Sequence, residues 1–309
     1  MKTEHRRVGK LLLTGANGFV GQHVLAAAAR GEFDADVIQT PPAGWDIRDP
    51  ASVSQCIGTC APDTVLHLAA QSFVPRSFED PRETFDINVF GTLNLLEALK
   101  SGGFRGRLLY VSSGDVYGRV PDDALPVDER RQAEPRNPYA ASKIAAEQLC
   151  LAWHRAEGLD VVIARPFNHV GPGQGRKFVL PALASQAVAI AEKRQPATIE
   201  AGDIDVTRDF TDVRDIVGAY AAMLARGHAG ATYVVASGIE RSIRAILSEM
   251  CRLTGIDPEI RIDSNKLRPA EQRRMVASSA LLNSHTGWQP RVPFETTLQS
   301  IIQDASRES

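Results

Sequence analysis

Residues 14–21 read T-G-A-N-G-F-V-G, between an apolar run at 8–13 and a helical pattern over 18–30. A strand that ends in closely spaced glycines and turns straight into a helix has few folds open to it. The helix start presents unsatisfied N–H groups and a positive dipole end, which together suit a pyrophosphate. Gly15 permits a tight turn, Gly18 lets the backbone approach the anion, and Gly21 lets helix and strand pack closely. Asn17, Phe19 and Val20 complete the turn and join the glycines as predicted cofactor contacts.

Further strand-length apolar runs lie at 36–40, 64–68, 107–112, 160–164 and 231–236. Helical spacings of three and four fall between them, near 81–100 and 138–157. Such alternation predicts an α/β fold, a Rossmann-type doubly wound parallel sheet with helices on both faces. Ligands in these sheets bind beyond the carboxyl ends of the strands, so Gly15, Leu68, Ser112 and Arg165 should ring one crevice. After Arg165 the chain reads R-P-F-N-H-V-G-P-G-Q-G, too rich in Gly and Pro to continue a regular element. A helix at 181–193, a strand at 197–200 and a helix at 213–225 follow. A small mixed lobe over 242–309 ends in a helix at 294–305. The expected division is a dinucleotide-binding domain of 1–168 plus about 213–238. The substrate lobe takes about 169–212 plus 239–309.

The chain has 309 residues, 43% hydrophobic, with a net charge of −2. No basic domain marks it for nucleic acid, and no apolar run reaches the roughly 18 residues of a membrane span. The segment at 266–274 is basic but local, and reads as a solvated loop. Leu11–Leu13 runs directly into the glycine turn, so residues 1–8 have no signal core behind them, and a cytoplasmic protein is expected. Cys56 and Cys60 lie one helical turn apart with no second pair or histidine cluster to complete a metal site. With Cys150 and Cys251 they read as free thiols, and no metal is expected.

A second motif, Y-A-A-S-K at 139–143, puts a phenol and an ammonium on one helix face. A free tyrosine, with a pKa of about 10, is a poor acid/base catalyst at neutral pH. An ammonium about 4 Å away stabilises phenolate by roughly 4 kcal/mol at an effective dielectric of about 20, enough to bring the phenol towards about 7. The run S-S-G-D-V-Y-G at 112–118 ends the preceding strand, so Ser113 can polarise a substrate oxygen beside Tyr139. An acidic residue for the adenosine ribose belongs at the end of the second strand, where the chain reads I-Q-T-P-P-A-G. No carboxylate stands there, and no Arg or Lys replaces it, which leaves NADH and NADPH both open. Asp46 and Ile47 are placed either to contact adenine or simply within a loop.

These motifs, with H-L-A-A-Q at 67–71, N-V-F-G-T at 88–92 and N-P-Y-A-A-S-K at 137–143, resemble the extended short-chain dehydrogenase/reductases that act on nucleotide sugars. The resemblance covers essentially the whole chain. It implies that Ser113, Tyr139 and Lys143 are the catalytic trio. It also implies that Leu68, Ala69, Ala70, Gln71, Asn88, Ser112 and Phe167 place the cofactor with Tyr139 and Lys143. R-P-F-N-H-V-G-P-G-Q at 165–174, V-T-R-D-F-T-D-V-R-D at 206–215 and L-R-P-A-E at 267–271 are similar to the GDP-mannose branch. There the resemblance implies that Asn168 contacts the sugar diphosphate. Arg208 and Arg268 bind diphosphate or guanine, and Glu271 binds the guanosine ribose. Guanidinium groups suit phosphate through paired, charge-assisted hydrogen bonds. On residue type alone, Arg208 could instead pair with Asp209 or Asp212. Phe178, Val179, Ser113 and Asp115 complete the expected substrate set.

Within that branch a dehydratase needs a carboxylate base two residues after the catalytic Ser/Thr, and the family supplies a Glu. Asp115 stands there, about 1.5 Å shorter in reach. A misplacement of about 1 Å can cost roughly a hundredfold. Gly114 offers no side chain to a leaving hydroxide. The resemblance therefore implies reduction of the C4 ketone of a GDP-linked 4-keto-6-deoxy-mannose by NADPH or NADH, to GDP-D-rhamnose. Alternatives are the dehydratase or a related epimerase, reduction of another nucleotide's sugar, and a non-catalytic nicotinamide-binding regulator. By analogy the chain forms a homodimer through the helices near 83–100 and 138–157.

Overall fold

The structure is a computed structural model that describes residues 6–263 and 272–307. The predicted Arg268 and Glu271 lie outside the described residues. The chain opens with β1 (Gly9–Thr14), α1 (Phe19–Ala29), β2 (Ala35–Gln39), α2 (Pro50–Cys60) and β3 (Thr64–His67). Then come α3 (Val74–Glu79), α4 (Pro81–Phe85), a π-helical turn (Asp86–Phe90) and α5 (Gly91–Ser101). β4 (Arg107–Val111), a 3₁₀ turn (Gly114–Tyr117), α6 (Pro138–Glu157) and β5 (Asp160–Pro166) follow.

Beyond β5 lie β6 (Asn168–Val170), α7 (Val179–Ala191), β7 (Thr198–Ala201), β8 (Thr207–Asp212), α8 (Val213–Arg226) and β9 (Thr232–Val235). The last elements are β10 (Glu240–Ser242), α9 (Ile243–Thr254), β11 (Glu259–Ile262), α10 (Ala280–Thr286) and α11 (Phe294–Arg307). Their starts are written in the sequence. Asp49, Asn137 and Asp212 cap α2, α6 and α8 by accepting backbone N–H groups at 3.0, 2.7 and 2.7 Å. Pro50 and Pro138 occupy first-turn positions, where the missing N–H is no loss.

The main sheet has six strands in the order β2-β1-β3-β4-β5-β9, every neighbouring pair parallel. Its strand order reverses direction at β1, where β2 lies on one side and β3 on the other. A crevice therefore opens beyond the carboxyl ends of β1 and β3. Alternate residues feed two cores. Leu11, Leu13, Leu66, Leu109 and Val162 pack with α1 and α8 on one face. Leu12, Val65, Leu108 and Ile163 pack with α2, α5 and α6 on the other. A separate core of α7, α9, α11 and β7 includes Leu183, Ile199, Met250 and Ile301. Two smaller sheets, β10-β8-β6 and β11-β7, belong to this second region.

The doubly wound fold is as expected, and three local expectations are corrected. The segment after Arg165 is not wholly irregular: β5 runs on to Pro166, and Asn168–Val170 pairs in parallel with β8. β8 was unreadable as a strand because T-R-D-F-T-D lacks an apolar alternation. Its buried Asp209 is satisfied instead by Ser237, Gly238 and Ala277. The helix expected over 81–100 is broken by the π turn. Finally, Leu282 and Trp288 pack in the first core against α8, although 239–309 was expected to belong to the substrate lobe.

That last contact has its own geometry. The Trp288 indole donates to the Asp215 carbonyl at 3.0 Å, while the Asp215 carboxylate accepts the N–H groups of Arg291 and Val292 at 2.9 and 3.0 Å. Replacing this indole by a methyl leaves a large cavity in the first core. Trp288→Ala is expected to destabilise by about 3–5 kcal/mol, read as a clear fall in melting temperature with native-like circular dichroism below the transition.

Candidate active site

The glycine turn is shaped by backbone contacts that no side chain could share. Gly15 has a φ of +71°, and a Cβ there would lie 2.7 Å from the Ala69 nitrogen, so the turn rests directly on the chain leaving β3. A Cβ on Gly21 would lie 2.3 Å from the Gly15 carbonyl oxygen and 2.7 Å from the Ala16 Cα. Gly21 thus packs against the turn itself, rather than against the strand as expected. The Gly18 N–H donates to the Gly15 carbonyl at 3.0 Å, and Gly18 caps α1 without a side chain. No acidic residue sits in the first turn of α1. The N–H groups there face no competing carboxylate, and the cradle fits a dinucleotide pyrophosphate.

His67, Thr14, Thr92 and Asn88 tie this turn to the rest of the crevice. The Thr92 hydroxyl donates to the Asn88 carbonyl at 2.7 Å, so it must accept from His67 Nε2 at 3.2 Å. His67 Nδ1 then accepts from the Thr14 hydroxyl at 2.7 Å, which itself accepts the Ala69 N–H at 3.2 Å. The tautomer is fixed by its partners. Burial, aided by the nearby Lys143 charge, pushes His67 down to about 3, so it is neutral at any working pH.

Asn88 sits on the π turn, 1% exposed. Its Nδ2 donates to the Gln71 carbonyl at 3.0 Å and to Ser142 Oγ at 2.9 Å, and its Oδ1 accepts the Gln71 N–H at 2.8 Å. The extra residue of a π turn swings this amide inward, bracing Leu68–Gln71 against α6. Ile47 is buried against Gly91, and Asp46 is paired with Arg48 at 2.6 Å.

The trio is brought together. Ser113 caps the 3₁₀ turn, its Oγ accepting the Asp115 N–H at 3.1 Å, and its hydroxyl lies near enough to the Tyr139 phenol to favour the charged form of that group. Tyr139 and Lys143 are 9% and 4% exposed on the first turns of α6. Ser112 lies at the end of β4 with its hydroxyl buried and unpartnered. One expectation fails here. Burial raises the Tyr139 phenol above its ordinary value, the Asp115 carboxylate adds to the rise, and only the Ser113 hydrogen bond opposes it. The ammonium does not reverse this. It lies over the Tyr110 ring, 4.6 Å from its centre, and burial lowers Lys143 itself to about 8.

Arg165 is also displaced from its expected place at the crevice. Its guanidinium is buried in a pair with Glu147, Nη2 to Oε2 at 2.6 Å. Phe167 follows, 7% exposed and stacked on Tyr117 with ring centres 6.0 Å apart.

On the substrate side, Asn168 is exposed on β6, and Arg208 stands on β8 opposite Arg241 of β10. The carboxylates once weighed as Arg208 partners are engaged elsewhere: Asp209 by Ser237 and Asp212 by Arg214 and Thr297. Phe178 caps α7 beside exposed Val179, and its ring meets Phe73 edge-on at 6.5 Å. Lys177 lies over Phe73 at 4.6 Å. Phe73 and Lys177, which the residue pattern does not single out, link the chain leaving β3 to the start of α7.

A family model described as GDP-mannose 4,6 dehydratase matches residues 42–301. The chain belongs to this family. It is 45% identical, over 96% of both chains, to the GDP-6-deoxy-D-mannose reductase of Pseudomonas aeruginosa. The structure of RMD from Pseudomonas aeruginosa complexed with NADPH has 44% identity and a TM-score of 0.93, covering 97% of this chain and 99% of that one. The UDP-glucose 4-epimerase of Thermus thermophilus, in complex with NAD, has 30% identity and a TM-score of 0.83, covering 96% and 98%. Family membership, the parallel sheet and the glycine cradle thus agree. Among the described residues there is no cluster that could hold a metal, and no helix long and apolar enough to cross a membrane.

The cradle is directly testable. A Gly15→Ala variant must hold an alanine in the left-handed region, at about 1–2 kcal/mol, and also push its methyl into the Ala69 backbone. NADPH affinity, followed by nucleotide fluorescence, is expected to fall at least about tenfold by that cost and the misplaced turn together. Parental affinity would reject this assignment of the cofactor site.

Proposed function

We propose that this protein reduces the C4 ketone of GDP-4-dehydro-6-deoxy-D-mannose, giving GDP-D-rhamnose, with NADPH or NADH as the reductant. It is an NAD(P)H-dependent oxidoreductase of nucleotide-sugar biosynthesis. The observation that carries the reading is the buried Tyr139–Lys143 pair on the first turns of α6, with Ser113 close to the phenol, beside the crevice that the glycine cradle closes. The similarity to a GDP-6-deoxy-D-mannose reductase along nearly the whole chain supports it.

When bound, the reduced nicotinamide supplies the hydride. The rest is the work of this chain. Ser113 hydrogen-bonds the ketone oxygen as negative charge develops on it, a contact whose loss typically costs about 10²–10³ in rate. Tyr139 then gives its phenolic proton to that oxygen. A phenol held protonated by burial and by Asp115 suits this direction of transfer, because the C4 alkoxide is a far stronger base than a phenolate. Lys143 holds the nicotinamide ribose and places its charge beside the phenolate left behind. Asn168, Arg208, Phe178 and Val179 are proposed to contact the sugar diphosphate side, with Arg268 and Glu271 from outside the described residues. The division into a cofactor domain of 1–168 plus about 213–238 and a substrate lobe of about 169–212 plus 239–309 fits this, with 280–288 reassigned to the cofactor side.

Reduction is also favoured over dehydration by the segment Ser113-Gly114-Asp115. A Cβ on Gly114 would lie 2.9 Å from Phe167 Cδ2, so no side chain can stand there while Phe167 keeps its place on Tyr117. A second proton donor for a leaving hydroxide has no room.

We further propose a cytoplasmic homodimer. All four cysteines are free, as a reducing compartment requires. Phe78 on α3 and Phe90 at the end of the π turn, 63% and 55% exposed, are large apolar side chains of the kind a partner covers. Light scattering on the purified protein at micromolar concentration is expected to give twice the chain mass, and a monomer would reject the dimer.

The chemistry is checked by mixing enzyme, GDP-4-dehydro-6-deoxy-D-mannose and NADPH or NADH, and following reduced-nicotinamide absorbance. Tyr139→Phe is expected to lose about 10²–10⁴ of turnover. Turnover within a few-fold of the parent would overturn the proton-donor role. Conversion of GDP-mannose without added reductant would instead establish a dehydratase.

A further inference from the structure

Tyr139, Lys143 and Glu147 follow one another at four-residue intervals along α6, and all are buried, Glu147 completely. Arg165 occupies both oxygens of Glu147: Nε lies 3.0 Å from Oε1 and 3.2 Å from Oε2, and Nη2 lies 2.6 Å from Oε2. Its Nη1 donates to the Tyr117 hydroxyl at 3.1 Å, and its guanidinium carbon lies 5.0 Å from the centre of the Tyr117 ring. A buried ion pair is weak evidence of stabilisation, since an apolar pair of similar volume often serves the fold as well. The pair therefore calls for a reason beyond folding, and its neighbours supply one.

We propose that Glu147, clamped by Arg165, is a positioning residue for the reduction: its carboxylate is the counter-charge that keeps the buried Lys143 ammonium protonated and in place. This rests on the reading of Tyr139 and Lys143 as the acid/base pair. The groups around Lys143 leave Glu147 alone in that role. From β4 comes the neutral ring of Tyr110, whose hydroxyl burial keeps protonated. From β3 comes His67, held neutral between two threonines. From α6 itself come the phenol of Tyr139 and the thiol of Cys150, both raised by burial. Arg165 on β5 brings a second positive charge. Behind it, Glu129 has its Oε1 on the Val234 N–H and is raised by burial, and Tyr117 stays a phenol. Asp115 faces Tyr139. Burial pulls Lys143 down to about 8 and Glu147 is the largest effect against it.

The sign follows. Lys143 is charged below about 8 and loses its proton above. Without the Glu147 charge that loss begins at lower pH. Glu147→Gln keeps the shape and one acceptor for Arg165, turns the other oxygen into an amide donor, and removes the charge. The alkaline limb of its kcat profile is expected to move about one to two pH units towards acid. At about pH 8 turnover should fall roughly tenfold or more, while near pH 6 it stays within a few-fold of the parent. NADPH affinity, measured by fluorescence without substrate, should weaken over the same pH range, and Glu147→Asp should restore part of both.

A double variant, Glu147→Gln with Arg165→Met, removes the unpaired guanidinium that could unfold the single variant. Its alkaline limb should remain shifted even where its melting temperature recovers. A folded single or double variant whose limb and NADPH pH dependence match the parent overturns the proposal. So does a loss uniform across pH. Failure of the underlying reading looks different: Tyr139→Phe would then retain turnover, whatever the Glu147 variants do.

Discussion

A lysine with 4% of its surface exposed, inside a parallel sheet protein, is the constraint around which the crevice is built. An ammonium in that position is costly unless its surroundings favour the charged form. The cost is met locally on α6, by Glu147 one turn on, and at long range by the Tyr110 ring below. The same burial fixes the neighbours. His67 must be neutral, so its two nitrogens can be assigned to Thr14 and Thr92. Those two threonines belong to the glycine turn and to α5, so the protonation state of the site and the placing of the cofactor cradle share one hydrogen-bonded frame.

Much of this frame was legible in the residues. The glycine turn, the apolar runs and the helical spacing over 138–157 placed β1, α1 and α6 to within a residue or two, because strand and helix periods are strong signals over such lengths. The nearness of Ser113 to Tyr139 was legible too, since strand ends of a parallel sheet converge on one edge. What escaped were β6 and β8. Their order comes from buried carboxylates bonded to N–H groups far along the chain, as Asp209 to Gly238 and Ala277. No local period encodes such partners. The π turn escaped for the same reason: what holds it is Asn88 reaching Gln71 and Ser142, residues 17 and 54 positions away.

Arg165 and the phenol show a subtler failure. A residue at the end of a strand is expected on the rim of the crevice, yet the Arg165 side chain turns inward because a fully buried carboxylate waits there. A lysine four residues from a tyrosine reads as a means of lowering the phenol. That inference used an effective dielectric and a separation suited to a half-exposed pair. In the folded chain Tyr139 is nearly fully covered, and burial is the largest influence on its phenol, with the Asp115 carboxylate acting in the same direction and only Ser113 against it.

The reversal changes the role proposed for Lys143. A phenol poised near neutrality would serve oxidation and reduction about equally, taking a proton as readily as giving one. A phenol held firmly protonated is a committed donor, ready whenever a C4 alkoxide appears. In the proposed reduction the lysine contributes after the proton has left, when phenolate stands in a buried site beside the Asp115 carboxylate. Its charge stabilises that short-lived anion, and burial strengthens the effect because little water screens it. Such help is given in the transition state and withheld from the ground state, which is the condition for raising a rate rather than merely tightening binding. It depends on the ammonium still carrying its proton. A carboxylate one turn further along α6, fixed by an arginine from β5, is the means by which this fold keeps that proton there.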